Sequence, residues 1–392
     1  VAIYRASDLS KIAHVDVGAQ PDMLTFTPDG KTLLVANEGE PSDDYQIDPN
    51  GSISVISVAT PTTPVIRTAR FTTFNGQEAT LRAQGIRLYG PNANTARDLE
   101  PEYIAVAADG TTAWVTLQEN NALAKIDIAT ATVTALLPLG EKNHGTVGNE
   151  LDLSDGDSLV NIRTWEGVKG LYQPDSIGAY TAADGHTYLV MANEGDARAW
   201  GETNSAYWAG DASKGFVEEF RVKHLINKSG WAGRINVDLP PQLSAMAAGG
   251  LLNPTIFGHC GAVAGDPKNC RTDAMLGRLK VTWTMGYQIN ADGSPKKFTA
   301  AGVEDPAGDR LMYDTLYTFG ARSFSIRDAN GALIWDSAAT IEQFLAGDDC
   351  KLGKDRLEPC KNWFNANHEK GNSKDARRAA KGPEPEGLPV GR

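Results

Sequence analysis

The chain has 392 residues, of which 41% are hydrophobic and 22% charged, and its 49 acidic and 37 basic side chains give a formal net charge of −12. This charge disfavours nucleic acid and anionic lipid as partners, because both would be repelled. No run of about 18 apolar residues is present that could span a membrane, and the 40 glycines and 20 prolines are typical of a chain with many tight turns.

Four proline–acid steps each open a short apolar run. They are Gln20-Pro21-Asp22, Glu100-Pro101-Glu102, Gln173-Pro174-Asp175 and Glu384-Pro385-Glu386. In the first three, the run crosses an Asp-Gly pair, which tolerates the positive φ of short hairpins, and returns as a second strand. The repeat predicts like-shaped β-sheets around a common axis, with an acid at the same strand end of each.

Strand-like sequence lies on both sides of each of these three hairpins. The predicted pairs are Met23–Phe26 with Thr32–Ala36, Tyr103–Val106 with Ala113–Leu117, and Ile177–Tyr180 with Tyr188–Met191. A further strand follows the first two pairs, which is the order of a four-stranded propeller blade. The acids of the first three steps are 80 and 73 residues apart. Each interval fits either one blade with a long excursion or two compact blades.

The regular pattern breaks between about residues 197 and 310. There, Ala212–Ile226 is predicted to form a helix with Phe216, Phe220 and Leu225 on one face, and a strand pair is predicted around Asp292-Gly293. A departure of this length indicates an insertion over one face of the domain or a looser blade. The β pattern returns in Thr315–Phe319 and Ser323–Ile326.

These elements predict one all-β domain over residues 1–392. We expect a β-propeller of about seven blades, or eight, each a four-stranded antiparallel sheet, with a loop and helix insertion around residues 197–310. The blade that begins at Glu384-Pro385-Glu386 has no partner strands before Arg392. We therefore expect this last blade to be incomplete and the native chain to continue past residue 392; completion by the first residues of the chain is the alternative.

Four cysteines lie in two pairs, Cys260 with Cys270 and Cys350 with Cys360, each ten positions apart in loop-like sequence. They predict two local disulfides, and disulfides indicate a secreted, periplasmic or cell-surface protein. A zinc site would need closer spacing, such as two residues between cysteines. The first residue, Val1, is consistent with a mature chain whose signal peptide has been removed.

Two of the return strands end in near-identical acidic motifs, Asn37-Glu38-Gly39-Glu40 and Asn193-Glu194-Gly195-Asp196. Carboxylate oxygens suit hard cations such as Ca²⁺, and further acids lie in nearby loops. The predicted metal ligands are Glu38, Glu40, Asp43, Asp44, Glu194, Asp196, Asp152, Asp155, Asp157 and Glu386. The bound ion is expected to be Ca²⁺, with a second divalent or transition metal as a further option. Alternatively, the motifs are left-handed turns that carry solvated acids.

In a propeller the acids of the proline–acid steps point towards the central channel. Asp22, Glu102 and Asp175 could there supply further ligands or a general base, or they could cap strands by accepting hydrogen bonds from backbone amides. Arg322 and Arg198 are the cations expected nearest to these acids, where they would hold a phosphate bidentately or pair with a neighbouring Asp.

Several enzyme classes lack support in the sequence. The six histidines show no paired spacing typical of a zinc hydrolase. The chain also has no Gly-x-Ser-x-Gly motif, no phosphate-binding glycine loop and no dinucleotide fingerprint.

The segment from Gln20 to Tyr45 resembles the opening of the choice-of-anchor I proteins. The resemblance recurs at Glu102–Asn121, Tyr172–Arg198, Phe319–Ser325 and Lys381–Gly387, and so covers most of the chain. It implies a secreted β-propeller, related to a mesenchyme-specific cell-surface glycoprotein of biomineralising cells, and implies a chain that continues past the last motif. Some relatives are described as atypical alkaline phosphatases.

The sequence thus supports two functional hypotheses. The first is metal-dependent phosphoester hydrolysis at an acidic mouth, with a small phosphoester as substrate, because bound divalent ions would reverse the local field and activate a water. The second is a non-catalytic surface module in which calcium stiffens loops for adhesion or mineral contact.

Overall fold

The computed structural model describes residues 1–91, 94–154, 159–225, 240–366, 374 and 382–391. The chain opens with an antiparallel pair, β1 (Ala2–Tyr4) and β2 (Lys11–His14). The first four-stranded sheet, here called blade I, follows in sequential antiparallel order with β3 (Pro21–Phe26), β4 (Thr32–Asn37), β5 (Ser52–Ser57) and β6 (Val65–Arg70).

The second four-stranded sheet, blade II, comes after an excursion of the chain. The excursion contains a 3-10 turn (Thr72–Phe74) and the helices α1 (Glu78–Ala83) and α2 (Thr95–Asp98). Blade II comprises β7 (Ile104–Val106), β8 (Thr112–Leu117), β9 (Ala122–Asp127) and β10 (Thr132–Pro138). The interval between the first two proline–acid steps therefore holds one blade and an excursion, not two compact blades.

The third four-stranded sheet, blade III, is interrupted by a long excursion. It begins after β11 (Glu141–Asn143) and β12 (Val168–Leu171) with the strands β13 (Ser176–Thr181) and β14 (Thr187–Asn193). The excursion then contains β15 (Ala199–Trp200), α3 (Ser205–Trp208), β16 (Phe216–Val217), β17 (Glu219–Arg221), α4 (Val222–Leu225), α5 (Pro241–Met246), β18 (Gly249–Leu252), α6 (Pro254–Phe257), β19 (Lys280–Thr282), β20 (Arg310–Tyr313) and β21 (Leu316–Thr318). It also has 3-10 turns at Ala212–Lys214, Gly258–Cys260 and Lys268–Arg271.

Blade III is completed by β22 (Ser323–Asp328) and β23 (Leu333–Asp336), in the order β13-β14-β22-β23. The chain continues through α7 (Thr340–Ala346), β24 (Lys351–Leu352), β25 (Glu358–Pro359) and a 3-10 turn at Cys360–Trp363. The excursion is thus inserted between the second and third strands of this blade, because β14 pairs directly with β22 from Tyr188 to Asn193.

The same side-chain hydrogen bonds join the second and third strands in blades I and III. The amide nitrogen of Asn37 donates to the hydroxyls of Ser52 and Ser54 at 3.2 and 3.0 Å. In blade III, Asn193 donates to the hydroxyl of Ser323 and accepts from Ser325, both at 3.2 Å. A buried Asn facing a Ser-x-Ser pair therefore marks the equivalent strand junction in both blades.

The three blades are arranged around a common axis. The first strand of blade II, β7, contacts both β3 of blade I and β13 of blade III, and apolar side chains of neighbouring blades pack into shared clusters. Residues near the hairpin ends of these strands, together with Val390 and Gly391, line an axial cavity of about 600 Å³. This architecture is that of a β-propeller, and it confirms the predicted fold class.

Several predicted elements differ from the structure or go beyond it. The helix predicted over Ala212–Ile226 is wrong within the described residues, because Phe216 and Phe220 pair as strand residues with Trp200 and Val281. Strand pairing with distant segments overrode the local helical spacing. The described residues form three four-stranded sheets, so the predicted count of seven or eight blades stays a prediction.

Both predicted disulfides are present, Cys260–Cys270 and Cys350–Cys360, and no free cysteine is left. Among the described helices, none has the length and hydrophobicity needed to cross a bilayer.

Candidate functional site

Acidic side chains collect at one end of the propeller axis because of the hairpin register. In an antiparallel pair, the start of the first strand lies opposite the end of the second. Pro21 therefore faces Asn37 in blade I, and Ser176 faces Ala192 in blade III. This register brings each proline–acid step next to the acidic motif that follows the return strand.

The acids gathered there form what we call the acidic mouth. Its members influence one another electrostatically across the three blades, and they are Asp22, Glu38, Glu40, Glu100, Glu102, Glu119, Asp175 and Asp196. Glu102 interacts electrostatically with acids from all three blades: Glu119, Glu38, Asp175 and Asp22. The separate repeats of the sequence are thus brought to one place.

The floor of the acidic mouth consists of Glu100, Glu102 and Glu119, whose exposed fractions are 2%, 7% and 7%. One carboxylate oxygen of Glu102 and one of Glu119 are buried without a hydrogen-bond partner among the described residues. A buried, unpaired carboxylate oxygen is costly. The floor therefore presents acceptor atoms that no group in the described part of the chain satisfies.

Burial and mutual repulsion raise the pKa of these acids. Burial, followed by the charges of Glu40 and Glu119, raises the pKa of Glu38 to about 10. Burial also raises the pKa of Glu119 to about 7, with a contribution from Asp196 and against the opposing effect of Arg198. The pKa values of Glu100 and Glu102 are raised in the same way, mainly by burial. As long as no metal ion is bound, the site thus favours protons that carboxylates normally lose.

In blades I and III, the residue before the proline of the proline–acid step forms a hydrogen bond with the acidic motif. In blade I the side-chain amide of Gln20 donates to Glu40, and in blade III that of Gln173 donates to the carbonyl of Asp196 at 2.8 Å. In blade II this position is Glu100, so an amide donor is replaced by an additional buried acid. That acid needs a cationic partner.

Arg198 supplies this cation. Its guanidinium is buried, with ion pairs of 2.7 Å to Asp98 and 3.0 Å to Glu100, and it stacks on the ring of Tyr89 at 4.7 Å from the ring centre. The chain brings it there directly after the acidic motif of blade III. Because both ion pairs are buried, the geometry disfavours the predicted contact of Arg198 with a phosphate.

Arg322 is held by a buried acid of its own. Its guanidinium forms a buried ion pair of 2.9 Å with Glu342 and donates to the carbonyl of Asp152. Asp152 itself is fully buried and accepts hydrogen bonds from Ser154 and the backbone of Asn161. These residues form a second buried charged cluster; Asp155 and Asp157 lie outside the described residues.

The remaining predicted ligands lie around the site or apart from it. Glu194 follows β14 and is partly buried, and Asp43 is exposed. Asp44 accepts hydrogen bonds from the Ser42 hydroxyl and the Gln46 backbone, which together lower its pKa. The carbonyl of Glu386 accepts a hydrogen bond of 2.6 Å from Ser176, which places the fourth proline–acid step beside β13.

Sequence reasoning left out three acids of this region, Asp98, Glu100 and Glu119, as candidate site residues. A signal for two of them was available: Glu100 occupies the position of Gln20 and Gln173, and Glu119 lies in the segment of blade II that corresponds to the acidic motifs. Asp98 carried no such signal, because it lies in α2, outside the repeat.

The donor set of the acidic mouth determines which kind of metal ion fits it. All donors of the acidic mouth are carboxylate oxygens, which suit Ca²⁺ or Mg²⁺ rather than zinc or copper. Within the described part of the chain, no three His, Cys, Asp or Glu side chains are already arranged to hold an ion. The two unsatisfied buried oxygens of Glu102 and Glu119 nevertheless fit a hard cation.

Comparison with solved structures gives partial similarities at low identity. Hydrazine synthase of Kuenenia stuttgartiensis shares 17% identity over 48% of this chain and 47% of that one, with a TM-score of 0.22. A putative 6-phosphogluconolactonase from Bacteroides uniformis shares 12% over 48% and 40%, with a TM-score of 0.25. The β-propeller domain of Cps50 (Swd1) from Myceliophteria thermophila shares 11% over 46% and 51%, with a TM-score of 0.21.

The aligned part spans about half the length of these solved chains or less, and similarities at these TM-scores carry no argument about activity. No curated protein matches the chain. The model of the choice-of-anchor I domain, in contrast, matches residues 1–392. The chain therefore belongs to the choice-of-anchor I family.

Proposed function

We propose that the acidic mouth binds a hard divalent cation, Ca²⁺ in the first place, and that the protein is a calcium-stabilised binding module. The observation that carries the proposal is the pair of buried carboxylate oxygens, on Glu102 and Glu119, that have no hydrogen-bond partner. A cation would satisfy them and would remove the repulsion that raises the pKa of Glu38 and Glu119.

The setting agrees with this function. The family and the two disulfides indicate an extracellular protein. Calcium is abundant outside cells, where sites of modest affinity are filled. We extend the proposal to a periplasmic or surface-exposed location, with a surface or mineral-associated ligand as partner.

The test is calcium binding by isothermal titration calorimetry after treatment with a chelator. We expect the wild-type protein to bind Ca²⁺ and the double variant Glu102→Gln/Glu119→Gln to bind it at least about tenfold more weakly, because two of the ligands lose their charge. The matched control is Asp29→Asn/Asp109→Asn, which removes two acids from exposed hairpin turns. If both double variants bind calcium equally weakly, the binding is due to the general negative charge of the protein and not to a specific site. Absence of calcium binding in the wild type would refute the proposed site.

A second candidate function is metal-dependent phosphomonoester hydrolysis, favoured by one observation: the pKa of Glu119 is raised to about 7. A carboxylate with this pKa can accept a proton from water near neutral pH. A bound divalent cation would supply the charge that attracts and polarises a phosphoryl group. Turnover of a generic phosphomonoester with calcium, lost with the chelator and in Glu119→Gln, supports this activity; absence of turnover under every metal condition leaves the binding module.

A further inference from the structure

Glu100 differs from the other two acids at the floor of the acidic mouth in having a cationic partner. Its carboxylate accepts from the guanidinium of Arg198 at 3.0 Å, whereas one oxygen each of Glu102 and Glu119 is unsatisfied. Asp98, the other acid paired with Arg198, also accepts from the backbone of Tyr89 and Gly90 at 2.9 and 2.7 Å. Asp98 is therefore held independently of the arginine, and Glu100 is not.

The charge of Arg198 also reaches acids that it does not contact. It lowers the pKa of Glu40 and of Glu119, opposing the effect of burial. Its place in the chain, two residues after Asp196 and at the start of the excursion, positions this charge beside the acidic mouth. The arginine is thus a fixed counter-ion of the acidic mouth.

We propose that Arg198 withholds Glu100 from cation binding and thereby sets the cation affinity of the acidic mouth. This inference rests on the proposed function and adds a positioning residue to it. With Arg198 present, Glu100 is occupied by the guanidinium and one positive charge opposes the incoming ion. Without Arg198, Glu100 is a third unsatisfied carboxylate at the floor, and that opposing charge is gone.

The test is a double-mutant cycle between Arg198 and Glu100, read by calcium titration calorimetry and by the shift in unfolding temperature on adding calcium. We expect Arg198→Gln to bind Ca²⁺ at least about tenfold more tightly than the wild type, because a repelling charge is removed and a ligand is released. Glu100→Gln alone weakens binding, because the charge of Arg198 is then less neutralised. The double variant loses one charge of each sign and returns towards the wild-type affinity, so Glu100→Gln costs more binding in the Arg198→Gln background than in the wild type. Arg198→Lys, which keeps the charge, stays closer to the wild type than Arg198→Gln does.

Unfolding temperatures distinguish this role of Arg198 in cation binding from a purely structural role. Arg198→Gln lowers the unfolding temperature in chelator, and calcium raises it by more than in the wild type. The matched control is Arg322→Gln, which breaks another buried ion pair, of 2.9 Å, with Glu342. In that variant we expect the unfolding temperature to fall equally with and without calcium.

The outcomes distinguish this inference from the proposed function. Equal calcium affinity in the wild type and Arg198→Gln overturns the role of Arg198 and leaves the cation site standing. Binding in Arg198→Gln but not in the wild type supports the role of Arg198 and refutes cation binding by the native protein, and absence of binding in both refutes the site and this inference together. If Arg198→Gln is unfolded in chelator, refolding by calcium but not by sodium supports the proposal, and failure to refold overturns it.

Discussion

At the scale of single residues, the acidic mouth balances burial against charge. Glu38, with a pKa near 10, retains its proton at neutral pH when no cation is bound. A cation must therefore displace protons from the acids it binds. The strength of binding is accordingly linked to pH through these carboxylates.

The stability of the cation-free protein is expected to fall as the pH rises. The pKa of Glu38 in the folded state lies above its ordinary value of 4.5, so its contribution is fully present below that value and is lost as the pH approaches about 10. Glu119 acts in the same direction up to about pH 7. The measurement is the unfolding temperature in chelator across this pH range, with Glu38→Gln as the variant that flattens the slope.

With calcium present the trend should reverse, because fewer protons compete for the carboxylates as the pH rises. A cation-free protein whose stability is independent of pH, or a slope that is identical in Glu38→Gln, would contradict the coupling between these acids.

At the scale of elements, two loops meet through paired glycines behind the acidic motif of blade III. Gly195 has a φ of +86°, and a Cβ placed there would lie 1.9 Å from the backbone nitrogen of Gly320. The loop after β14 and the loop before β22 are therefore in direct backbone contact. This contact fixes the two ends of the inserted excursion.

A matched pair of alanine substitutions tests this contact. Gly185 has a similar φ of +83°, but a Cβ there would meet nothing within 4 Å. Gly185→Ala therefore carries the backbone penalty alone, about 1 kcal/mol. Gly195→Ala adds a clash with backbone atoms, and we expect a loss of at least about 3 kcal/mol in the free energy of unfolding. Equal losses in denaturant titrations would show that the loops can separate without cost.

The hairpins could be predicted because their signals are local. An Asp-Gly pair between two apolar runs specifies the turn, and Gly30, Gly110 and Gly185 all have the expected positive φ. The split of blade III could not be read in the same way, because the partner of β14 lies about 130 residues further along. The single local sign of this pairing in the sequence is the Ser-x-Ser pattern, which begins at Ser52 in blade I and at Ser323 in blade III.

The same distinction between local signals and distant contacts applies to the candidate site. Acids tied to the repeat are brought together by register, so Glu38, Glu102 and Asp175 could be placed near one another from sequence. Arg322 could not be placed, because its partner Glu342 lies on α7, outside any repeat. Which cation neutralises which acid depends on distant packing.

At the scale of the whole molecule, the chain has separate cores. Blade I and blade II share one cluster, centred on residues such as Val55 and Val115, and blades II and III share another. A third cluster is formed largely by the excursion and includes Phe220, Phe257 and the disulfide Cys260–Cys270. The excursion therefore has apolar packing of its own, joined to the blades through buried contacts such as the ion pair of Glu218 with Arg87.

Because the cores are separate, we expect the loss of a disulfide to destabilise mainly the core that contains it. Cys260→Ser/Cys270→Ser removes a cross-link of ten residues, worth about 3 kcal/mol by loop entropy, from the core of the excursion. We expect hydrogen exchange measured by mass spectrometry to accelerate in β17 and β19 and to stay unchanged in β4 and β8, because the blades bury different clusters. Cys350→Ser/Cys360→Ser, which removes a cross-link of equal span next to β24 and β25, is the matched control and should leave β17 unaffected. Uniform acceleration after the first substitution would instead mean that excursion and blades unfold as one cooperative unit, and the charged contacts at Glu218 would then couple them more strongly than their separate cores imply.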